Sequence, residues 1–222
     1  MIIGMPVYEG VDLLDVAGPH EILKWMPKEA AGSDVDVQII AEQAGFVTTR
    51  DGFTFLAKKR FDDVQTLDVL WVPGGDPPAL KRIMTDPSQT YLNFLRRVAA
   101  DAKYVCSVCE GALLLAKAGL LDGFKATTHY YFIPCLKQRK QVNVVEGTPR
   151  FVVDDSRAPQ QAVRLTGGGI SSGLDESLKL VELLAGTKAA QEVQQNTQYY
   201  PCPPVESTIE VPAGCEFDLP IN

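Results

Sequence analysis

The chain is poor in histidine, in net basic charge and in long apolar runs. It holds two histidines, and 21 Lys and Arg stand against 28 Asp and Glu, a formal net charge of −7. Nucleic-acid surfaces need clustered cations to displace counterions, so this balance speaks against one. The longest basic stretch, Lys137 to Lys140, reads as a short exposed patch. No stretch approaches the roughly 18 apolar residues that cross a bilayer. The opening MIIGMPVYEG lacks the basic region and long apolar run of a signal peptide. A soluble, cytoplasmic protein without membrane or nucleic-acid partners is expected. No phosphate-binding GxxxxGK[ST] occurs, and Gly167-Gly168-Gly169-Ile170 falls short of the GxGxxG dinucleotide pattern. Five cysteines (Cys106, Cys109, Cys135, Cys202 and Cys215) are odd in number and scattered, which does not suggest a secreted disulfide framework. With the histidines equally isolated, no metal site is expected.

What is present is an ordinary globular composition, 45% hydrophobic and 22% charged over 222 residues. Strands and helices alternate along it. Met1 to Tyr8 reads as a strand and Asp15 to Trp25 as a helix. Val35 to Ala41 is a strand, and Phe46 to Leu56 is a hairpin turning at Arg50-Asp51-Gly52. Val69 to Val72 is a buried strand ending in Pro73-Gly74-Gly75, and Pro87 to Ala102 is an amphipathic helix. Tyr104 to Cys109 reads as a strand that passes at once into a helix from Glu110 to Ala118, ended by Gly119. A short extended piece over Lys125 to Thr128 leads to His129. Further strands are read at 142–145, 151–153 and 163–166, and helices from Ser172 to Ala185 and from Lys188 to Asn196. From Tyr199 the chain is an irregular, Pro-rich tail that could strap an interface or pack on its own subunit. Repeated βα units imply one α/β domain over 1–222. Its mostly parallel sheet is covered on both faces, with functional groups at the carboxyl ends of strands.

The chemistry concentrates at Ser107-Val108-Cys109-Glu110-Gly111-Ala112, where an apolar strand meets a helix. A strained strand–turn–helix of this kind exposes a nucleophile in hydrolases. The helix N-terminus favours thiolate and offers N–H groups to a developing anion. The alternative is an inert core cysteine. Cys106 and Cys109 make a CxxC, but Cys106 lies inside the strand, which disfavours a redox pair. His129 can serve as a base for the thiol or be structural; His20 sits within the first helix. Asp15, among apolar neighbours before Gly18-Pro19, either caps the helix or acts as a buried acid/base. Glu110 either stabilises the helix start or exchanges a proton with Cys109.

Six segments occur in one order: Leu14-Asp15-Val16-Ala17-Gly18-Pro19, Val72-Pro73-Gly74-Gly75, Ser107 to Ala112, Ala116 to Gly123, Ala126-Thr127-Thr128-His129, and Thr166 to Asp175. Together they resemble the ThiJ/PfpI superfamily over about residues 2 to 204 and, within it, the isocyanide hydratases. The resemblance implies a flavodoxin-like three-layer α/β sandwich of the class I glutamine amidotransferase-like kind, usually a homodimer without a cofactor. It implies a small-molecule substrate attacked by Cys109, Asp15 as acid/base, and a pocket lined by backbone around Gly75, Gly168 and Ile170. Isocyanide hydratases usually carry Thr after the cysteine and the protease-like branch His; this chain has Glu110, which disfavours a Cys–His peptidase. Two other classes stay in view. One is a redox or carbonyl-adduct protein using the same thiol. The other is a ligand-sensing module like the amino-terminal half of AraC-type regulators.

Overall fold

A computed structural model describes residues 1–32 and 34–222. Its strands are β1 (Ile2–Pro6), β2 (Asp36–Ala41), β3 (Gly45–Thr48), β4 (Thr54–Ala57), β5 (Lys59–Arg60), β6 (Val69–Val72), β7 (Tyr104–Ser107), β8 (Lys125–Ala126), β9 (Asn143–Val144), β10 (Phe151–Asp154) and β11 (Val163–Gly167). Its helices are α1 (Leu13–Lys24), α2 (Lys28–Ala31), α3 (Pro77–Thr85), α4 (Thr90–Ala99), α5 (Gly111–Lys117), α6 (Ile133–Leu136), α7 (Ser172–Ala185) and α8 (Thr187–Asn196).

Seven strands form one sheet in the order β10-β11-β7-β6-β1-β2-β5, parallel throughout except for β10 against β11. Parallel strands buried on both faces read as continuous apolar runs. β6 is the plainest case, since Val69, Leu70, Trp71 and Val72 are all fully buried. Helices α1, α7 and α8 pack together, and α3, α4 and α5 form a second group. The three-layer, flavodoxin-like sandwich is therefore present. The central strands β1, β6, β7 and β11 deliver their carboxyl ends to one edge, the topological switch point where such sheets bind ligands.

Several boundaries differ from the sequence reading. β7 stops at Ser107; Val108 N–H still donates to Val72 C=O of β6 at 3.2 Å, and the turn begins where Cys109 N–H goes to Gly168 instead. Helix α3 is an addition to that reading; Asp76 caps it by accepting from the Ala79 N–H at 2.7 Å, and Pro77 opens it. The helix read from Pro87 begins only at Thr90. The hairpin at Arg50-Asp51-Gly52 forms as expected, pairing Phe46 with Leu56 and Thr48 with Thr54.

The tail is irregular, and its end packs on its own chain. Cys215 is disulfide-bonded to Cys135 of α6 across 80 residues, so one staple exists where the cysteine count does not suggest any. Beside it, Phe217 stacks on Phe132 with ring centroids 4.5 Å apart, and Leu219 and Ile221 are buried. Cys106, Cys109 and Cys202 are free. Closing a loop of this length restricts the unfolded chain, typically worth about 2–4 kcal/mol. Reduction, or Cys215→Ser, is expected to lower unfolding free energy by about that amount in urea melts, with reductant having no further effect on the variant.

Candidate active site

The backbone comes first. Cys109 has φ of 55°, the left-handed region that a side chain with Cβ adopts only under constraint. Two bonds hold it there. Its N–H donates to Gly168 C=O at 2.8 Å, and its C=O accepts from Thr128 Oγ1 at 2.7 Å. The turn also demands Gly111, because a Cβ there would lie 2.1 Å from Val72 O. The strand–turn–helix read from the sequence is thus an elbow pinned between β11 and the segment after β8.

Carboxyl groups gather around the sulfur. Asp15, in the first turn of α1, is fully buried and does not cap the helix. Its Oδ2 instead accepts from Gly74 N–H at 2.8 Å, and its backbone C=O accepts from Trp71 Nε1 at 3.1 Å. Glu110, 3% exposed, lies within hydrogen-bonding reach of the thiol and of Asp12. Asp12, Asp15, Cys109 and Glu110 each present an atom within 4.8 Å of the others. Asp15 Oδ1 and Glu110 Oε2 have no donor among the described residues.

Burial followed by the charges of Asp12 and Glu110 pushes the Asp15 carboxyl well above the usual range, with the Gly74 N–H opposing. Burial also raises Glu110, to about 7. The Cys109 thiol is pushed well up by burial and by the neighbouring Asp15 and Glu110. The resting group is a thiol beside protonatable carboxyls, not the free thiolate that the helix N-terminus suggests. Three oxygens and one sulfur this close could also grip a cation, but Arg50 already places its guanidinium against Asp12, with Nε 3.0 Å from Oδ1.

The other predicted positions fall at different distances from this centre. Gly168 meets Cys109 through its carbonyl, and Gly168 and Ile170 line an adjacent pocket of about 350 Å³ with Leu14, His129 and Ile209. His129 shares that pocket wall while capping a short turn, its Nδ1 accepting from Tyr131 N–H at 3.3 Å. Burial lowers its pKa, which keeps it neutral. Gly75 packs against Gly10 O and Tyr8; Gly74 is the residue against the carboxyls, a Cβ there falling 2.4 Å from Glu110 Oε2. A larger pocket of about 620 Å³, bounded by Val7, Glu42 and Tyr91, does not have Cys109 in its lining. Sequence reading missed Asp12 and Arg50. It also missed Glu176, a fully buried carboxyl on α7 raised by burial, with the Ser107 backbone opposing.

A flavodoxin-like sheet with a cysteine on a strained elbow at its carboxyl edge defines a class of thiol-bearing α/β proteins. Comparisons place the chain within it. Residues 2–170 match the model of the DJ-1/PfpI family, and the chain belongs to that family. It is 37% identical over 205 residues to an isonitrile hydratase of Pseudomonas putida, covering 92% of this chain and 81% of that protein. A crystal structure of a ThiJ/PfpI family protein from Pseudomonas syringae superposes with a TM-score of 0.79 at 30% identity, over 96% of this chain and 81% of that one. A deglycase of Thermococcus kodakarensis is 30% identical over 95 residues, 42% of this chain and 55% of that protein.

The raised Glu110 carries a signed consequence. The folded state holds its proton up to about 7 whereas the unfolded chain releases it near 4.3, so stability falls as pH rises between those values. Glu110→Gln is expected to flatten that slope in urea melts at pH 5 and pH 8.

Proposed function

We propose that the protein is a cofactor-free hydratase of a small electrophile, an isocyanide, using Cys109 as nucleophile. The carrying observation is the strained Cys109 elbow with two proton-holding carboxyls against the sulfur. The isonitrile hydratase relative supports the choice of substrate. The sulfur attacks the terminal isocyanide carbon, and the thiol proton passes through Asp15 or Glu110 to that carbon, giving a thioimidate. Water adds to the same carbon, and its second proton goes to nitrogen. The carbon–sulfur bond then breaks, the thiol regains a proton and an N-substituted formamide leaves. Carboxyls that keep a proton near neutral pH suit both transfers. Backbone around Gly168 and Ile170, with His129, lines the adjoining pocket. Gly75 stands one residue from the carboxyl contact made by Gly74.

One observation favours a second reading. Glu110 sits against the thiol with a raised pKa, as carbonyl-adduct chemistry at a cysteine also requires. Turnover of methylglyoxal and not of an isocyanide selects that reading.

We also propose a homodimer. Phe46, 76% exposed, and its exposed cross-strand partner Leu56 form an apolar patch on the β3–β4 hairpin. Among the described residues no helix is long and apolar enough to cross a membrane. Sedimentation is expected to give a dimer at micromolar concentration, shifted toward monomer by Phe46→Glu.

Hydration of a model isocyanide, followed by formamide release, is expected to vanish in Cys109→Ala and to fall about 10²–10⁴-fold in Asp15→Asn. Equal turnover in Cys109→Ala and the unaltered protein overturns the covalent mechanism.

A further inference from the structure

Asp12 belongs to the carboxyl cluster at the thiol, and Arg50 stands against Asp12. Asp12, just ahead of α1, is 2% exposed, and among the described residues neither carboxylate oxygen receives a directed hydrogen bond. Arg50, at the hairpin turn, approaches it at 3.0 Å, a charge pairing whose angle falls short of a hydrogen bond. The Arg50 N–H also donates to Val11 C=O at 3.2 Å. The hairpin is thus tied to the loop before α1 by backbone and by charge. Asp12 in turn lies within hydrogen-bonding reach of Glu110.

Proton counting shows what the pair does. Four acids, Asp12, Asp15, Cys109 and Glu110, crowd within 4.8 Å, and Arg50 is the cation placed against them. Like charges at such separation repel strongly once water is excluded, so the cluster cannot ionise freely. We propose that Arg50, clamped on Asp12, is a positioning residue that keeps the cluster's negative charge on Asp12 and leaves the mobile proton between Glu110 and Cys109. The proposal rests on the reading of Cys109 as the reacting group.

The charges facing Glu110 fix the expected signs. Asp12 pushes its pKa up, and Arg50 pulls it down. Tyr8, after β1, is buried and its phenol raised by that burial, so it stays neutral. Asp15, on α1, holds its proton. Burial first, then the charges of Asp51 and Asp76, push the Asp12 carboxyl up, and Arg50 is the opposing charge that favours its ionised form. His129 is lowered by burial and by Arg50, so it adds no charge. Removing Arg50 therefore retains the Glu110 proton to higher pH, and removing the Asp12 charge releases it at lower pH.

The test is the pH–rate profile of Cys109 alkylation by iodoacetamide, mapped by peptide mass spectrometry to separate it from exposed Cys202. Unaltered protein is expected to gain reactivity with an inflection near 7, as ionised Glu110 accepts the thiol proton. Arg50→Gln should move the inflection upward and slow alkylation at pH 7 about fivefold, for a shift of about one unit. Arg50→Lys should recover most of that loss, and Asp12→Asn should move the inflection downward. Opposite shifts support the proposal whether or not an isocyanide is hydrated, which separates it from the substrate reading. Inflections that stay put, or move the same way in both variants, overturn it. If Arg50→Gln does not fold, Asp12→Asn carries the test: a downward shift supports the proposal, and an unmoved or raised inflection overturns it.

Discussion

The structure depends on holding Cys109 in a left-handed backbone conformation. A residue with Cβ at φ of 55° costs free energy, of order 1–3 kcal/mol, and persists only where its surroundings over-determine it. Here the Cys109 N–H is tied to Gly168 and its carbonyl to Thr128, from two different elements. Gly111 lets the following helix approach β6 closely. These contacts come from the parallel sheet, since β6, β7 and β11 lie side by side and end at one edge. The sheet positions the elbow, and the elbow positions the sulfur.

Electrostatics follow from burial at that edge. Sulfur and carboxyls lie inside the protein, so each resists ionisation and raises its neighbours. A general acid/base needs a proton it can both give and take near neutral pH, and Glu110, at about 7, stands there. Sequence alone points to a thiolate stabilised by a helix N-terminus. The assembled site is instead a proton-sharing cluster, in which desolvation outweighs a helix of only seven residues.

How much of this is legible in the sequence depends on range. The strands, the hairpin turn and the long helix from Ser172 to Ala185 follow from local patterning, and the last agrees to its ends. Helix α3 could have been read from Asp76-Pro77-Pro78, a cap followed by prolines. Asp15 stands out as a carboxylate among apolar residues, and its alternative as a helix cap is removed by its bond to Gly74. Asp12 and Arg50 cannot be paired by local rules. Arg50 reads as a turn residue, and only the folding of the hairpin against the loop before α1 brings it to Asp12. The tail's packing is hidden for the same reason, since Cys135 and Cys215 are 80 residues apart.

The central claim is that Cys109 forms a covalent bond to the substrate carbon. The most direct measurement is the intact mass of the protein quenched in acid during turnover of a slow isocyanide. The account predicts a gain equal to the mass of one isocyanide, mapped to Cys109 and absent from Cys109→Ser. Formamide production with no adduct in the unaltered protein, or an adduct on another residue, contradicts it.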